Sequence, residues 1–383
     1  MDKPTVQDIF HRFYPAYLDQ YSPSPVQAKV AHNIMNCKTG AYGANVCVCE
    51  DCGFVQIHYN SFRNRCCPMC QAVPKEMWMD ARREDVLDAP YFHLVFTVPD
   101  ILNPVIYSNQ RLLYDALYHA ASSTISELTA DPKHLGAKVG YICILHTWGS
   151  EMNFHPHIHT ILLGGGLASN NQWKDNGENF FLPIRVISKM FRGKYLEELK
   201  RLWKEDKLVF HGTAEKFRNH YTFKELLDSC YGMDWIPHCK KTFNGAQTVM
   251  KYLGKYTHRI AVSNHRIVRM DDDTVTFLVK DYRNEGQWKE LTISGVEFVR
   301  RFLMHVPPRR FVRIRHYGLL CSRTKNQKLT LCRNLLGCKK YLSKLRDMEM
   351  PEILEHLYGI KVCVCKACGG HLGKPQMRMP LRC

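Results

Sequence analysis

Long apolar segments are missing from this sequence. There is no run of about eighteen apolar residues, the length that would indicate a membrane helix. Nor does a positively charged start lead into an apolar stretch, as in a secretory leader. We therefore expect neither membrane spanning nor secretion.

Acidic residues are scarce relative to basic ones. The 383 residues include 53 Lys and Arg against 36 Asp and Glu, a formal charge of +17, and the pI is about 9.2. This balance favours a polyanionic partner such as nucleic acid. Hydrophobic residues make up 45% of the chain, which is enough for a full core and two or three domains.

Cysteine, in contrast, is abundant. The 17 cysteines lie mostly toward the two ends of the chain, which in a large chain without a leader indicates metal binding in a reducing compartment. Two Cys-x-x-Cys knuckles, 49–52 and 67–70, each offer two thiolates to a tetrahedral Zn²⁺. We predict that one structural zinc ion is bound by Cys49, Cys52, Cys67 and Cys70.

Other cysteines and histidines leave further metal sites open. A third knuckle makes Cys365 and Cys368 candidate ligands of a further zinc ion. By residue type, their partners could be Cys332, Cys338, Cys363, His371 and Cys383. Unassigned candidates for a second ion near the first knuckles are Cys37, Cys47, Cys66, His32 and His58.

Three histidines alternate with other residues over positions 155–159. Side chains of a strand alternate between faces, so His155, His157 and His159 share one face. A half-buried strand with a polar face would explain one His-x-His, but three imidazoles on a rigid strand favour a metal site. We predict His155 as the third ligand beside His157 and His159, with Glu151 and Gln247 as alternatives.

Hydrophobic periodicity predicts the framework around this strand. The expected order is strands at 92–98, 138–148, 154–163 (stopped by Gly164-Gly165-Gly166) and 234–242, and helices at 104–128, 184–204 and 214–229. This order predicts an α+β fold with a helix-backed antiparallel sheet. We expect a helical preface and zinc-binding module at 1–88, the sheet domain at 89–262, and a β-rich, basic region with the third knuckle at 263–383.

A helix predicted over 244–259 carries Tyr252 and Tyr256. Tyrosines four residues apart lie on one helix face. Such a pair usually belongs to the packed face of an amphipathic helix. A packed face does not require several basic residues beside it, but here four flank the tyrosines: Lys251, Lys255, His258 and Arg259.

Two basic stretches are predicted to contact phosphate. Arg63 and Arg65 lie between the first knuckles, where a solvated loop is the simpler interpretation. The second stretch contains two arginines and two aromatic residues suited to base stacking: Arg313, Arg315, Phe311 and Tyr317. A solvated strand edge would also explain this pattern.

Together these motifs resemble the transposases of the insertion-sequence ninety-one family, the two-tyrosine members of the HUH endonucleases. The resemblance covers nearly the whole chain. It rests on the segment from Cys49 to Cys70, Pro90 to His93, His146 to Gly149, His155 to His159, and the Tyr252-x-x-x-Tyr256 pair. Departures are Phe62 and Cys66, where a cysteine and a histidine are usual.

The resemblance implies an HUH nuclease domain over 89–262. His157 and His159 would hold a catalytic Mg²⁺ or Mn²⁺ ion, and Tyr252 and Tyr256 would be nucleophiles. The implied activity is nicking of single-stranded or hairpin DNA at element ends and target, through 5′-phosphotyrosine intermediates, followed by strand rejoining. The implied location is the bacterial cytoplasm, with the nucleoid when DNA is bound. The alternatives are a replication initiator or relaxase, and a non-enzymatic zinc-dependent DNA-binding protein.

Overall fold

The computed structural model describes residues 3–175, 182–235, 238–243, 249, 254, 261–281 and 285–378, with backbone alone for 238–243 and 378. Ten α-helices have both ends within this part of the chain: α1 (Val6–Gln20), α2 (Pro25–Met35), α3 (Ala72–Arg83), α4 (Asn103–Ser108), α5 (Gln110–Ala130), α6 (Ile184–Lys204), α7 (His220–Gly232), α8 (Gly295–Met304), α9 (Lys325–Leu336) and α10 (Met350–Tyr358). None of the described helices is both long enough and apolar enough to cross a bilayer.

The strands form three antiparallel sheets. Their bounds are β1 (Ala44–Val48), β2 (Val55–Tyr59), β3 (Tyr91–Thr97), β4 (Lys138–Trp148), β5 (Phe154–Leu167), β6 (Trp173–Asp175), β7 (His238–Phe243), β8 (Ile267–Met270), β9 (Thr274–Asp281), β10 (Gln287–Ser294), β11 (Ile314–Gly318) and β12 (Gln376–Arg378). The central sheet has the order β11-β4-β5-β3-β7, with β6 against β5, and the smaller sheets have the orders β12-β1-β2 and β10-β9-β8.

Each face of the central sheet is covered by helices. Cys143, Ile158 and Leu162 point into the core shared with α5 and α6, whereas Ile144 and Ile161 point to the opposite face, where α3 and α9 pack. Strand alternation produces this division. The predicted α+β fold with a helix-backed antiparallel sheet is confirmed.

The glycine run does not stop the histidine strand, which corrects the expectation from sequence. Strand β5 continues to Leu167, and Gly166 pairs with both Val139 and Lys174. A Cβ atom at Gly166 would collide with the backbone of Lys138. The glycines therefore permit close strand pairing instead of ending it.

The N-terminal helices pack against a later part of the chain. Thr5 and Ser24 cap α1 and α2, and α2 begins at Pro25. The ring centroids of Phe10 and Phe302 are 5.2 Å apart, and one buried core joins α1 and α2 to α8 and the sheet β8–β10. The domain division at 88 and 262 stays a prediction, and this core crosses it.

Candidate functional site

Three imidazoles converge on one face of the central sheet. The candidate ligand nitrogens of His146, His157 and His159 all lie within 4.8 Å of one another. The side chains are 2%, 9% and 8% exposed. Such a buried, all-nitrogen set has the composition and spacing of a transition-metal site.

The hairpin register accounts for this convergence. Strands β4 and β5 are joined by a short turn, and His146 is the cross-strand partner of His157. Directly paired residues point to the same face, so His146 supplies the third imidazole. The ring of Trp148 stacks on His146, with centroids 4.6 Å apart, and fixes its plane.

Hydrogen bonds orient the two histidines of β5. His157 Nδ1 lies 2.7 Å from the carbonyl oxygen of His155, so Nδ1 must donate and Nε2 carries the lone pair. That Nε2 atom lies 3.1 Å from His159 Nε2. His93 Nε2 lies 2.9 Å from His159 Nδ1. A ring partner on the far nitrogen is typical of metal-bound histidine.

His155 does not join this cluster, which corrects its prediction as the third ligand. Its Nδ1 atom lies 3.2 Å from Asp100 Oδ1, near the surface. Strand alternation places His155 on the correct face. However, it lies two residues before His157, the residue that pairs with His146, and therefore nearer the start of β5. The signal missed in the sequence was the register of the hairpin. His93 was also missed as a functional residue.

The predicted nucleophiles Tyr252 and Tyr256 lie outside the described residues, as do Gln247, Lys251, Lys255 and Arg259. Two neighbours are described. Val249 is buried with Ile144 and Ile161 on the histidine face of the sheet, and Gly254 lies against Met79 of α3.

The cysteines form two clusters, which corrects the predicted four-cysteine site. Cys67 and Cys70 lie with Cys37, whereas Cys49 and Cys52 lie with Cys365 and Cys368. The two knuckles are therefore separated, because Cys49 and Cys52 lie in the β1–β2 turn while Cys67 and Cys70 precede α3. The third knuckle therefore lies with Cys49 and Cys52, which were not among the partners considered from the sequence.

One thiol in each cluster has a lowered pKa. A hydrogen bond from Cys67, and a further one from Cys37, lower the pKa of the Cys70 thiol to about 6. Backbone N–H groups of Cys368 and Ala367 lower the pKa of the Cys365 thiol to about 7. Each cluster thus has one thiol predisposed to ionise, as a metal ligand must.

Three predicted phosphate contacts have intramolecular partners. Arg65 donates to the carbonyl oxygens of Phe311 and Pro308 at 2.6 and 3.3 Å. Arg315 pairs with Asp115, and Arg313 lies over the ring of Trp148 at 5.8 Å. These guanidinium groups attach the edge strand to the body of the protein.

The predicted base-stacking residues are also used internally. Phe311 is 2% exposed and packs edge-on against Tyr114, and Tyr317 stacks on Tyr141 with centroids 5.2 Å apart. Stacking of bases on this pair was therefore the wrong expectation. Arg63, in contrast, is exposed in a left-handed turn (φ 54°).

Sequence comparisons identify relatives along most of the chain. Residues 9–98 match the family described as "Transposase zinc-binding domain", and residues 140–328 match the family described as "Putative transposase". The chain is 40% identical over 369 residues to "Putative transposase y4qJ" of Sinorhizobium fredii (strain NBRC 101917 / NGR234), covering 95% of this chain and 93% of that protein.

A second relative is the "Transposase for insertion sequence element IS801" of Pseudomonas savastanoi pv. phaseolicola. It is 30% identical over 309 residues, which cover 79% of this chain and 72% of that protein. These matches define the chain as a transposase. It belongs to the IS91 family of transposases.

Among solved structures, the chain is similar to "Conjugative Relaxase Trwc In Complex With Orit DNA. Metal-Bound Structure". The sequence identity is 13%, the coverage is 44% of this chain and 73% of that chain, and the TM-score is 0.25. A TM-score of this size does not establish a common fold.

Proposed function

We propose that this transposase nicks single-stranded DNA at the ends of its element and at the target, and rejoins the strands through 5′-phosphotyrosine intermediates. The observation that carries the proposal is the convergence of His146, His157 and His159. Val249, three residues before Tyr252 in the sequence, is buried on the same face of the sheet.

The histidine cluster fits a divalent ion. Its nitrogens are close together, and the contact of His157 Nδ1 with the His155 carbonyl directs His157 Nε2 toward His159 Nε2. A divalent ion held there would polarise a non-bridging oxygen of the scissile phosphate and offset the charge that develops on it. Because imidazole suits transition metals better than Mg²⁺, Mn²⁺ is the better match of the two.

The nucleophile is a tyrosine. The phenolic oxygen of Tyr252 or Tyr256 attacks phosphorus, an Oη–P bond forms, and the P–O3′ bond breaks. The phenol loses its proton and the leaving 3′ oxygen gains one. An unperturbed phenol has a pKa near 10, so positive charge from the neighbouring Lys251, Lys255 and Arg259 would favour the reactive phenolate.

Two tyrosines allow two linked transfers. Four residues correspond to about one helical turn of 5.4 Å, so both phenols can face one site in turn. One tyrosine holds the cleaved donor end while the other cleaves the target, and each free 3′-OH then attacks the opposite phosphotyrosine. The covalent link conserves the phosphodiester energy, so rejoining needs no ATP.

Positive surface charge holds the DNA. The formal charge is +17, and Arg63 projects from an exposed turn beside the Cys37, Cys67 and Cys70 cluster. Phosphate contacts of this kind give affinity that falls steeply with salt. Single-stranded DNA is the expected substrate because its phosphodiester can enter a buried site without duplex opening.

A nicking assay on single-stranded DNA tests the proposal. Wild-type protein with Mn²⁺ should yield a free 3′-OH and a protein-linked 5′ end, and the double variant Tyr252→Phe/Tyr256→Phe should yield neither. Joining of an element end to a second DNA separates a transposase from a replication initiator or relaxase. Wild-type cleavage by the double variant would rule out the tyrosine mechanism, and absence of any cleavage would favour a DNA-binding protein.

A further inference from the structure

The last knuckle of the chain lies directly against the first one. Cys49 Sγ is 3.5 Å from Cys368 Sγ, and Cys52 Sγ is 3.7 Å from Cys365 Sγ. All four sulfur atoms lie within 4.8 Å of one another. Four thiolates around a zinc ion with Zn–S bonds of about 2.3 Å would be about 3.8 Å apart. The observed spacing therefore has the dimensions of a tetrahedral thiolate site.

Backbone pairing brings the same two parts of the chain together. Strand β12 pairs with β1 in the register Ala44 to Arg378, and isolated bridges join Cys49 to Leu372 and Val364 to His371. The N–H of Cys365 donates to the carbonyl of Gly370 at 2.8 Å, and the N–H of Gly369 donates to the carbonyl of Cys365. These hydrogen bonds define the knuckle turn.

Apolar packing does not explain the convergence. Cys52 and Cys368 are exposed, so they are not small core residues. The local core consists of Cys47, Cys49, Cys365 and Leu372, which is too little buried surface to stabilise three short strands. Small modules of this kind depend on a bound metal for most of their folding energy.

We propose that Cys49, Cys52, Cys365 and Cys368 bind one zinc ion that joins the N-terminal module to the C-terminal segment. This site is separate from the one at Cys37, Cys67 and Cys70. Its role is structural, since all four positions around the ion are filled by protein.

Metal analysis of the full-length protein tests the site. Zinc per chain is measured by mass spectrometry after exhaustive dialysis. Cys368→Ser and Cys365→Ser should each lose about one zinc ion per chain relative to wild type. The matched control is Cys363→Ser, which changes an exposed cysteine two residues from the site and should keep the wild-type content. Unchanged zinc in the soluble Cys368→Ser protein would overturn the proposal.

A second measurement uses the wild-type protein, so it does not depend on a variant that folds. Graded oxidation with diamide converts pairs of neighbouring thiols into disulfides, and the diamide is reduced to the hydrazide. Peptide mapping should find the first links between the 49–52 knuckle and the 365–368 knuckle, formed as about one zinc ion is released. First links between the 49–52 and 67–70 knuckles would refute the assignment.

Discussion

His93 Nε2 lies 2.9 Å from His159 Nδ1, on two neighbouring strands of the central sheet. The two rings are nearly parallel, with an interplanar angle of 16°. If His159 binds a metal through Nε2, its Nδ1 atom carries the proton and donates a hydrogen bond to His93 Nε2. Under the proposed function, His93 would therefore orient a metal ligand without binding the ion itself.

Replacing His93 with Leu should lower the affinity for Mn²⁺ by about 10- to 100-fold, the usual effect of losing such an outer partner. The measurement is a calorimetric titration with Mn²⁺ of protein that retains its structural zinc. His93→Asn, whose side-chain oxygen can accept from His159, should recover part of the affinity. Equal affinities for His93→Leu and wild type would contradict the assignment.

His146 and His155 should behave differently when replaced. His146→Ala removes one of three converging imidazoles and should abolish Mn²⁺ binding and DNA cleavage. His155→Ala removes a side chain paired with Asp100, and it should keep Mn²⁺ affinity within a few-fold of wild type. The same titration and a cleavage assay compare the two variants. The reverse result would restore His155 as the third ligand.

Single tyrosine variants should separate the two proposed transfers. Tyr252→Phe and Tyr256→Phe should each still form a DNA adduct on the remaining phenol, while complete strand transfer is lost. Mass spectrometry of the covalent peptide identifies the modified residue. Adducts on one tyrosine alone, in wild type and in both variants, would reduce the other tyrosine to a packing residue.

Stability should fall in mild acid because of one buried and one half-buried histidine, His305 and His316. Burial lowers the pKa values of His305 and His316 to about 4, against about 6.5 for free histidine. The unfolded chain therefore binds protons at pH values where the folded chain does not. Stability is fully present above about pH 6.5 and is lost as the pH falls to about 4, by at most roughly 3 kcal/mol per histidine.

His305→Gln tests this pH dependence. His305 donates to the Met152 carbonyl and accepts from Thr147, so its loss should lower stability at pH 7. The substitution should also reduce by about half the further loss of folding stability between pH 7 and pH 4.5. Urea unfolding at the two pH values measures both effects, and the exposed His211→Gln is the control. An unchanged pH dependence would exclude His305 as a source.

The glycine run predicts a contrast between two alanine substitutions. Gly166→Ala should destabilise the protein by about 1–3 kcal/mol, because its Cβ meets the Lys138 backbone, which cannot move aside easily. Gly193→Ala lies in α6 with no atom within 4 Å of the added Cβ. It should stabilise the helix by about 0.5–1 kcal/mol. Thermal unfolding of the two variants measures the difference, and equal shifts would disprove the packing argument.

Local patterns predicted the elements well. The alternation in 92–98 and 138–148 predicted β3 and β4, and hydrophobic periodicity over 184–204 predicted α6. These features depend on neighbouring residues, which the sequence shows directly. The extension of β5 through its glycines was missed because it depends on how closely β4 and β6 approach.

The site was predicted in part. His157 and His159 followed from strand alternation. His146 did not, because Trp148 pairs with Phe154 and only a register shift beyond that pair places His146 opposite His157. The partners of Arg65, Arg313 and Arg315 lie far away in sequence, so local reasoning left them free to bind phosphate. The knuckle pairing was missed for the same reason, because Cys-x-x-Cys spacing identifies half of a site and not its other half.

The contact between Cys52 and Cys365 spans 313 residues of chain. At a synthesis rate of about 5–20 residues per second, the first knuckle leaves the ribosome roughly 15–60 s before its partner is made. During that interval Cys49 and Cys52 lack the thiols they face in the finished protein. A chain that stops before residue 365 also lacks β12, so it exposes two thiols to oxidation and the two remaining strands of the sheet, β1 and β2, to proteases. Only a chain that extends past residue 368 can bring together all four cysteines of this cluster, so the complete cluster distinguishes full-length chains from truncated ones.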